Sequence, residues 1–133
     1  MIWLVDDDPA EHELLALAFA KTGDSVDISG FYSAEDALEG LSRGERPNLI
    51  LLDLNMPGRG GLYFLDQRRA RGFSGTPVLV YSSSSSPDDV TRAYSNGASA
   101  YLQKPSDFSD ATLLARRLRT FWLGSVARLP ESP

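Results

Sequence analysis

The sequence predicts an α/β fold built on a parallel sheet. Short, unbroken apolar runs stand at Ile2-Trp3-Leu4-Val5, Leu49-Ile50-Leu51-Leu52, Val78-Leu79-Val80-Tyr81 and Ala100-Tyr101-Leu102, and runs of this kind mark strands buried on both faces. Strand-like and helix-like segments alternate five times along the chain, as a parallel sheet with crossover helices requires. A third observation concerns chemistry. The first run opens onto Asp6 and Asp7, the second onto Asp53 and the third onto Ser82, while Lys104 follows the last by one residue. Ligands of such sheets bind just beyond the carboxyl ends of the strands. Three carboxylates, a hydroxyl and an ammonium are therefore expected in one crevice.

Each element has its own local signal. After the first strand, Asp8 is a helix cap, Pro9 suits the first helical position and Glu11 completes a capping box. Leu14, Leu17 and Ala18 mark one face of that helix, flanked by Leu15 and Phe19, and Gly23 is its stop. Val26, Ile28 and Phe31 alternate, which predicts an edge strand with one face less covered. Ser33 and Asp36 start a second helix, whose Ala34, Ala37, Leu38 and Leu41 keep the helical period. Gly44 and Pro47 end it. The loop from Asn55 to Gly61 leads into a third helix carrying Leu62, Phe64 and Leu65. Pro77 introduces the fourth strand, Pro87 opens the fourth helix and Gly97 closes it. The last helix is expected from about Asp110, with Leu113, Leu114, Leu118 and Phe121 on its face.

Bulk properties narrow the function. A chain of 133 residues suits one domain. The net charge of −5 and the lack of a Lys/Arg block argue against nucleic-acid binding. No apolar run reaches membrane-span length. No signal-peptide pattern precedes the first strand, so a cytoplasmic location is expected. Without cysteine, disulfides and thiolate metal sites are excluded.

The clustered residues fit phosphoryl chemistry. One acid suffices to cap a helix, so Asp8 explains itself, whereas adjacent Asp6 and Asp7 repel each other unless a cation intervenes. With Asp53 they make a hard oxygen set suited to Mg²⁺. A carboxylate such as Asp53 can also accept a phosphoryl group as nucleophile. Lys104 supplies positive charge, and Pro105 holds it in extended backbone or through a cis bond. Ser82 can donate a hydrogen bond to a phosphoryl oxygen. Ser83 to Ser86 read as a flexible loop, and His12, the lone histidine, reads as a solvent-facing residue of the first helix. Gly58, Gly60 and Gly61 lack the Lys-Ser or Lys-Thr of a phosphate loop.

Taken together, Val5-Asp6-Asp7-Asp8-Pro9, Asp53-Leu54-Asn55-Met56-Pro57 with Gly61, Ser82, and Tyr101-Leu102-Gln103-Lys104-Pro105 resemble the receiver domain of bacterial two-component response regulators. The resemblance covers residues 2 to 121. It implies a doubly wound, flavodoxin-like sheet of five strands in the order 2-1-3-4-5. It also implies Asp53 as phosphoryl acceptor, with Asp6, Asp7, Asp53 and the Asn55 carbonyl holding Mg²⁺. Ser82 and Tyr101 match the switch pair, with Tyr101 turning into space that Ser82 vacates, and Lys104 matches the phosphate-binding lysine. Asn55 and Ser84 stand where the family tunes dephosphorylation.

Asp8-Pro9-Ala10-Glu11, the serine-rich loop before Pro87 and the ending Phe121-Trp122-Leu123 are similar, more narrowly, to single-domain regulators paired with phytochrome-type sensor histidine kinases. That likeness implies such a kinase as partner, a homodimer, and output by protein contact or relay to a phosphotransfer protein. Residues 1–121 are expected to form the receiver and 122–133 a tail whose Trp122, Leu123, Val126 and Leu129 make a dimer contact. Two rivals remain: a Mg²⁺-dependent phosphatase, weakened because Asn55 replaces the second Asp of that pattern, and a pseudo-receiver, weakened because every acid and the lysine are kept.

Overall fold

The computed structural model describes residues 1–23 and 26–120. Among them, strands and helices alternate without exception: β1 (Ile2–Val5), α1 (Pro9–Ala20), β2 (Ile28–Phe31), α2 (Ala34–Ser42), β3 (Leu49–Leu52), α3 (Gly60–Ala70), β4 (Val78–Ser82), α4 (Pro87–Ser95), β5 (Ala100–Gln103) and α5 (Phe108–Leu118). The strands form one parallel sheet in the order β2-β1-β3-β4-β5. This is the doubly wound, flavodoxin-like order that the family resemblance implies.

Pleating divides each apolar run between two cores. Trp3, Val5, Ile50, Leu52, Val78 and Val80 point to the side covered by Ala37, Leu38 and Leu41 of α2, Phe64 and Leu65 of α3 and Ala93 of α4. Ile2, Leu4, Leu49, Leu51, Leu79 and Tyr81 point to the side covered by Leu15, Ala18 and Phe19 of α1 and Ala111, Ala115 and Leu118 of α5. Every residue of β1, β3 and β4 is buried, whereas β2 at the edge is only partly covered. Continuous hydrophobicity in the central strands and alternation at the edge have this single cause.

Several local expectations change. Leu17 and Leu113 are exposed, because α1 buries Leu15, Ala18 and Phe19 while α5 buries Ala111, Ala115 and Leu118. The α5 helix begins earlier than Asp110: Asp107 is its cap, accepting from the Asp110 N–H at 2.7 Å. Phe121, Trp122, Leu123, Val126, Leu129 and the expected tail lie outside the described residues. At α1, Asp8 accepts from the Ala10 N–H at 3.0 Å, but the reciprocal half of a capping box is missing, since the Asp8 N–H donates to Asp6 Oδ1.

One buried cation ties two helices together. Arg68 is 4% exposed. Its guanidinium donates to the Phe73 carbonyl just past α3 at 3.2 Å and to the Gly97 carbonyl just past α4 at 2.9 Å. Arg69 adds a bond to the Ser95 carbonyl at 3.3 Å. Burial pulls the Arg68 pKa down, with Arg69 contributing, and carbonyls at a helix C-terminus are a natural sink for the remaining charge.

Candidate functional site

The carboxyl ends of β1, β3, β4 and β5 converge as predicted. Parallel pairing sets the heights: Val5 lies beside Leu52, so Asp6 and Asp53 continue side by side beyond the ladder. The Asp53 N–H donates to the Val5 carbonyl at 2.9 Å, and the Lys104 N–H to the Ser82 carbonyl at 2.8 Å. Side-chain oxygens of Asp6, Asp7 and Asp53 come within 4.8 Å of one another. Asp6 and Asp53 are buried, and Asp7 is exposed.

Lys104 is the counterion. Its Nζ lies 2.8 Å from Asp6 Oδ2 and 3.6 Å from Asp53 Oδ2. Burial alone would pull the lysine pKa down, but the bond to Asp6 and the charges of Asp53, Asp6 and Glu11 outweigh it and hold the pKa above its ordinary value. Asp53 moves up as well. Burial is the main cause, opposed by the Asn55 N–H and Lys104 and reinforced by Asp6 and Asp7. The described residues contain no cis peptide bond, so the Lys104–Pro105 link is trans.

These residues fit a divalent cation. Three hard oxygen donors crowd one place, two of them are buried, and a single ammonium faces them. That surplus of like charge is what a small, hard cation offsets. Asn55 enters through two bonds, its N–H to Asp53 Oδ1 at 3.2 Å and its side-chain amide to Ser82 Oγ at 3.2 Å.

The Asp53 loop turns tightly into α3. A Cβ on Gly61 would stand 2.5 Å from the Asp53 carbonyl oxygen and 2.8 Å from Leu54 Cα. Only glycine permits that approach.

The serine loop is cross-linked by hydrogen bonds among its own side chains and backbone. Ser82 Oγ accepts from the Ser84 N–H at 3.2 Å as well as from Asn55. Ser84 Oγ donates to Asp89 Oδ2 at 2.6 Å and accepts from the Ser86 N–H at 3.3 Å. Ser86 caps α4 by accepting from the Asp89 N–H at 3.2 Å. The Tyr101 hydroxyl donates to the Ser84 carbonyl at 2.6 Å, and its ring packs against the core. A chain of bonds thus runs from Asn55 through Ser82 and Ser84 to Asp89 and Tyr101, with Asp53 unmodified. The spacing Ser86-Pro87-Asp88-Asp89 is a helix-start signature that the serine repetition hides.

Two further residues at the site escaped the sequence reading. Glu11 is half-buried in the first turn of α1, its Oε2 enclosed without a hydrogen-bond partner. Burial raises its pKa, Lys104 opposes this, and Asp6, Asp8 and Asp53 add to it. His12 is half-buried rather than solvent-facing: its Nε2 lies 2.7 Å from the Asp6 carbonyl oxygen, and its ring packs on Tyr32 with centroids 4.4 Å apart.

Known proteins resemble this chain in sequence and fold. A family model described as the response regulator receiver domain matches residues 2–116. The probable methanogenesis regulatory protein FilR2 of Methanothrix harundinacea (strain 6Ac) is 35% identical, over 93% of this chain and 84% of its own length. The DNA-binding transcriptional regulator NtrC of Escherichia coli (strain K12) is 34% identical over 88% of this chain, which spans 24% of NtrC. Among solved structures, the Mn²⁺-bound form of response regulator Rcp1 superposes with a TM-score of 0.83 at 27% identity, covering 97% of this chain and 98% of Rcp1. The phosphorylated cyanobacterial phytochrome response regulator RcpA reaches 0.86 at 27% identity, covering 96% of each chain. Fold, acid cluster and family match agree, and the chain belongs to the response regulator receiver domain family.

Proposed function

We propose that this protein is a stand-alone response regulator whose Asp53 accepts a phosphoryl group from a phosphohistidine of a sensor histidine kinase. The observation that carries the reading is the buried Asp53 carboxylate, grouped with Asp6 and Asp7 and facing Lys104. In the transfer an Asp53 oxygen forms a bond to phosphorus as the phosphorus–nitrogen bond breaks, and the imidazole leaves with its electron pair. Such transfers depend on positioning and charge neutralisation. Asp6, Asp7, Asp53 and the Asn55 carbonyl would hold Mg²⁺, which would neutralise charge on the transferring group. Lys104 neutralises charge from the other side. The reading includes no catalysis on outside substrates, only Mg²⁺-dependent self-phosphorylation and its reversal, in the cytoplasm.

The switch works through the bonded serines. Phosphorylation adds charge and acceptor oxygens. Turning the Ser82 hydroxyl toward the phosphoryl group withdraws an acceptor from the Ser84 N–H and from Asn55. Tyr101, whose hydroxyl is bonded to the Ser84 carbonyl of the same loop, then turns into the space that Ser82 vacates. A near-complete switch needs about 5.5 kcal/mol of preference between states. One charge-assisted hydrogen bond gives roughly 1.5–3 kcal/mol, so Ser82 and Lys104 act together.

The kinase is of the phytochrome type in this reading, supported by the likeness to RcpA. Output is a protein contact or relay to a phosphotransfer protein. Residues 1–121 are the receiver, and the tail 122–133 joins two copies into a homodimer. The test is phosphotransfer from a labelled phytochrome-type kinase in the presence of Mg²⁺. Label on wild type and none on Asp53→Asn is expected; equal label on both overturns the assignment.

A further inference from the structure

We propose that His12 is a positioning residue for the divalent-cation site, acting through the main chain of Asp6. The inference rests on the cation reading above. Three observations support it. The Asp6 N–H is fixed by the Phe31 carbonyl at 3.0 Å, the last rung on that side of the sheet. The Asp6 carbonyl lies past the ladder and finds His12 Nε2 at 2.7 Å instead of a strand partner. A carbonyl has no proton to give, so Nε2 carries the hydrogen and donates it.

The imidazole also has a built seat. A Cβ on Gly30 would stand 2.5 Å from His12 Nδ1 and 2.9 Å from Cε1. Gly30 sits within β2, opposite Leu4. Glycine inside a strand costs stability, and here its missing side chain is the space that the ring occupies. Tyr32 closes the other side of the ring at 4.4 Å.

The consequence falls on Asp6 and Asp7. Asp6 is held at its N–H by Phe31, at its carbonyl by His12, at Oδ1 by the Asp8 N–H and at Oδ2 by Lys104. Asp7, exposed and next in the chain, inherits its place from that anchored peptide. Removing the imidazole frees the carbonyl and lets the corner that carries both acids relax. Groups that orient metal ligands in this indirect way matter nearly as much as the ligands themselves.

The experiment is a Mg²⁺ titration of the full chain by calorimetry, paired with melting in chelator. In His12→Ala the Mg²⁺ concentration for half-saturation is expected to rise about tenfold, the low end for an indirect partner of a metal ligand. Gly30→Ala, which leaves the histidine in the sequence but fills its seat, should weaken Mg²⁺ binding similarly. The double variant should be no worse than either single one, because both break the same contact. His12→Gln, whose amide can donate to the same carbonyl, should recover most of the affinity. A purely structural role would lower melting in chelator and leave half-saturation unchanged in all four variants. That result, or wild-type affinity in His12→Ala, overturns the inference. A wild type that binds no Mg²⁺ would instead remove the cation reading itself.

Discussion

The Lys104 ammonium lies closer to Asp6, at 2.8 Å, than to the proposed acceptor Asp53, at 3.6 Å. In the unmodified chain the lysine is therefore committed chiefly to Asp6. Asp6→Asn removes the charge nearest the ammonium, and the alkaline limb of stability in chelator should move. The Lys104 pKa is raised, so its stabilisation is complete below the ordinary lysine range, near 10.4, and is lost as pH rises through the raised value. In Asp6→Asn that loss should begin at lower pH. An unchanged alkaline midpoint would show that Asp6 does not hold the lysine.

Mg²⁺ should stabilise the fold. A ligand bound only by the native state adds about 2.7 kcal/mol at one hundred times its dissociation constant. Melting should rise with Mg²⁺ in wild type and much less in Asp7→Asn. Identical melting with Mg²⁺ and with chelator would remove the metal from the site.

The acid limb should run opposite to ordinary acid denaturation. Burial raises the pKa values of Asp53 and Glu11, so the folded state binds their protons more tightly than the unfolded chain does. Their contribution to stability is fully present below the ordinary carboxylate range, about 4, and is lost as pH rises through the raised values. Metal-free protein should melt higher on acidification from neutrality towards that range, with a smaller gain in Asp53→Asn. Saturating Mg²⁺ should flatten the trend, since the cation favours ionised carboxylates. Equal slopes in wild type and Asp53→Asn would contradict the origin assigned to the effect.

Ser84→Ala should loosen the start of α4. It removes the bonds to Asp89 and from the Ser86 N–H but leaves the carbonyl that Tyr101 uses. A loss of about 1 kcal/mol corresponds to roughly fivefold faster hydrogen exchange at the Asp89 and Val90 amides, which Ser86 holds. Unchanged exchange there would mean that the serine does not brace the helix.

Self-association should depend on the tail. Trp122, Leu123, Val126 and Leu129 follow α5 in the sequence, and clustered apolar side chains on a surface tend to mark contacts between molecules. Light scattering at micromolar concentration should give twice 14.5 kDa, and truncation before Trp122 should reduce it. A monomeric wild type sinks this expectation.

The parts of the molecule legible in the sequence are those set by periodicity and by strand ends. The runs ending at Val5, Leu52 and Tyr81 became central strands, and the polar residues after them did converge. His12 and Glu11 were not legible, because each depends on a partner from elsewhere in the fold. His12 needs Gly30 and Tyr32 from the neighbouring strand and its exit. Glu11 needs Lys104, brought from the far end of the chain. The Ser84 side chain bonds nearby residues, Asp89 and Ser86, and the run of serines hid which of them would do so. The faces of α1 and α5 were misjudged at Leu17 and Leu113 because neighbouring registers keep the same helical period, as Leu14-Leu17-Ala18 and Leu15-Ala18-Phe19 do, and only packing in the fold chooses between them.

The Arg68 clasp makes α4 a lever. Its C-terminal end is pinned through the carbonyls of Ser95 and Gly97, while its N-terminal end hangs on Ser84 and Ser86. With nine residues at about 1.5 Å of rise each, the arm is roughly 13 Å long. A shift of about 1–2 Å where the serines let go would therefore tilt the arm by roughly 4–9°. Such a swing would be largest beside the proposed acceptor Asp53 and would fall to nothing at the fulcrum.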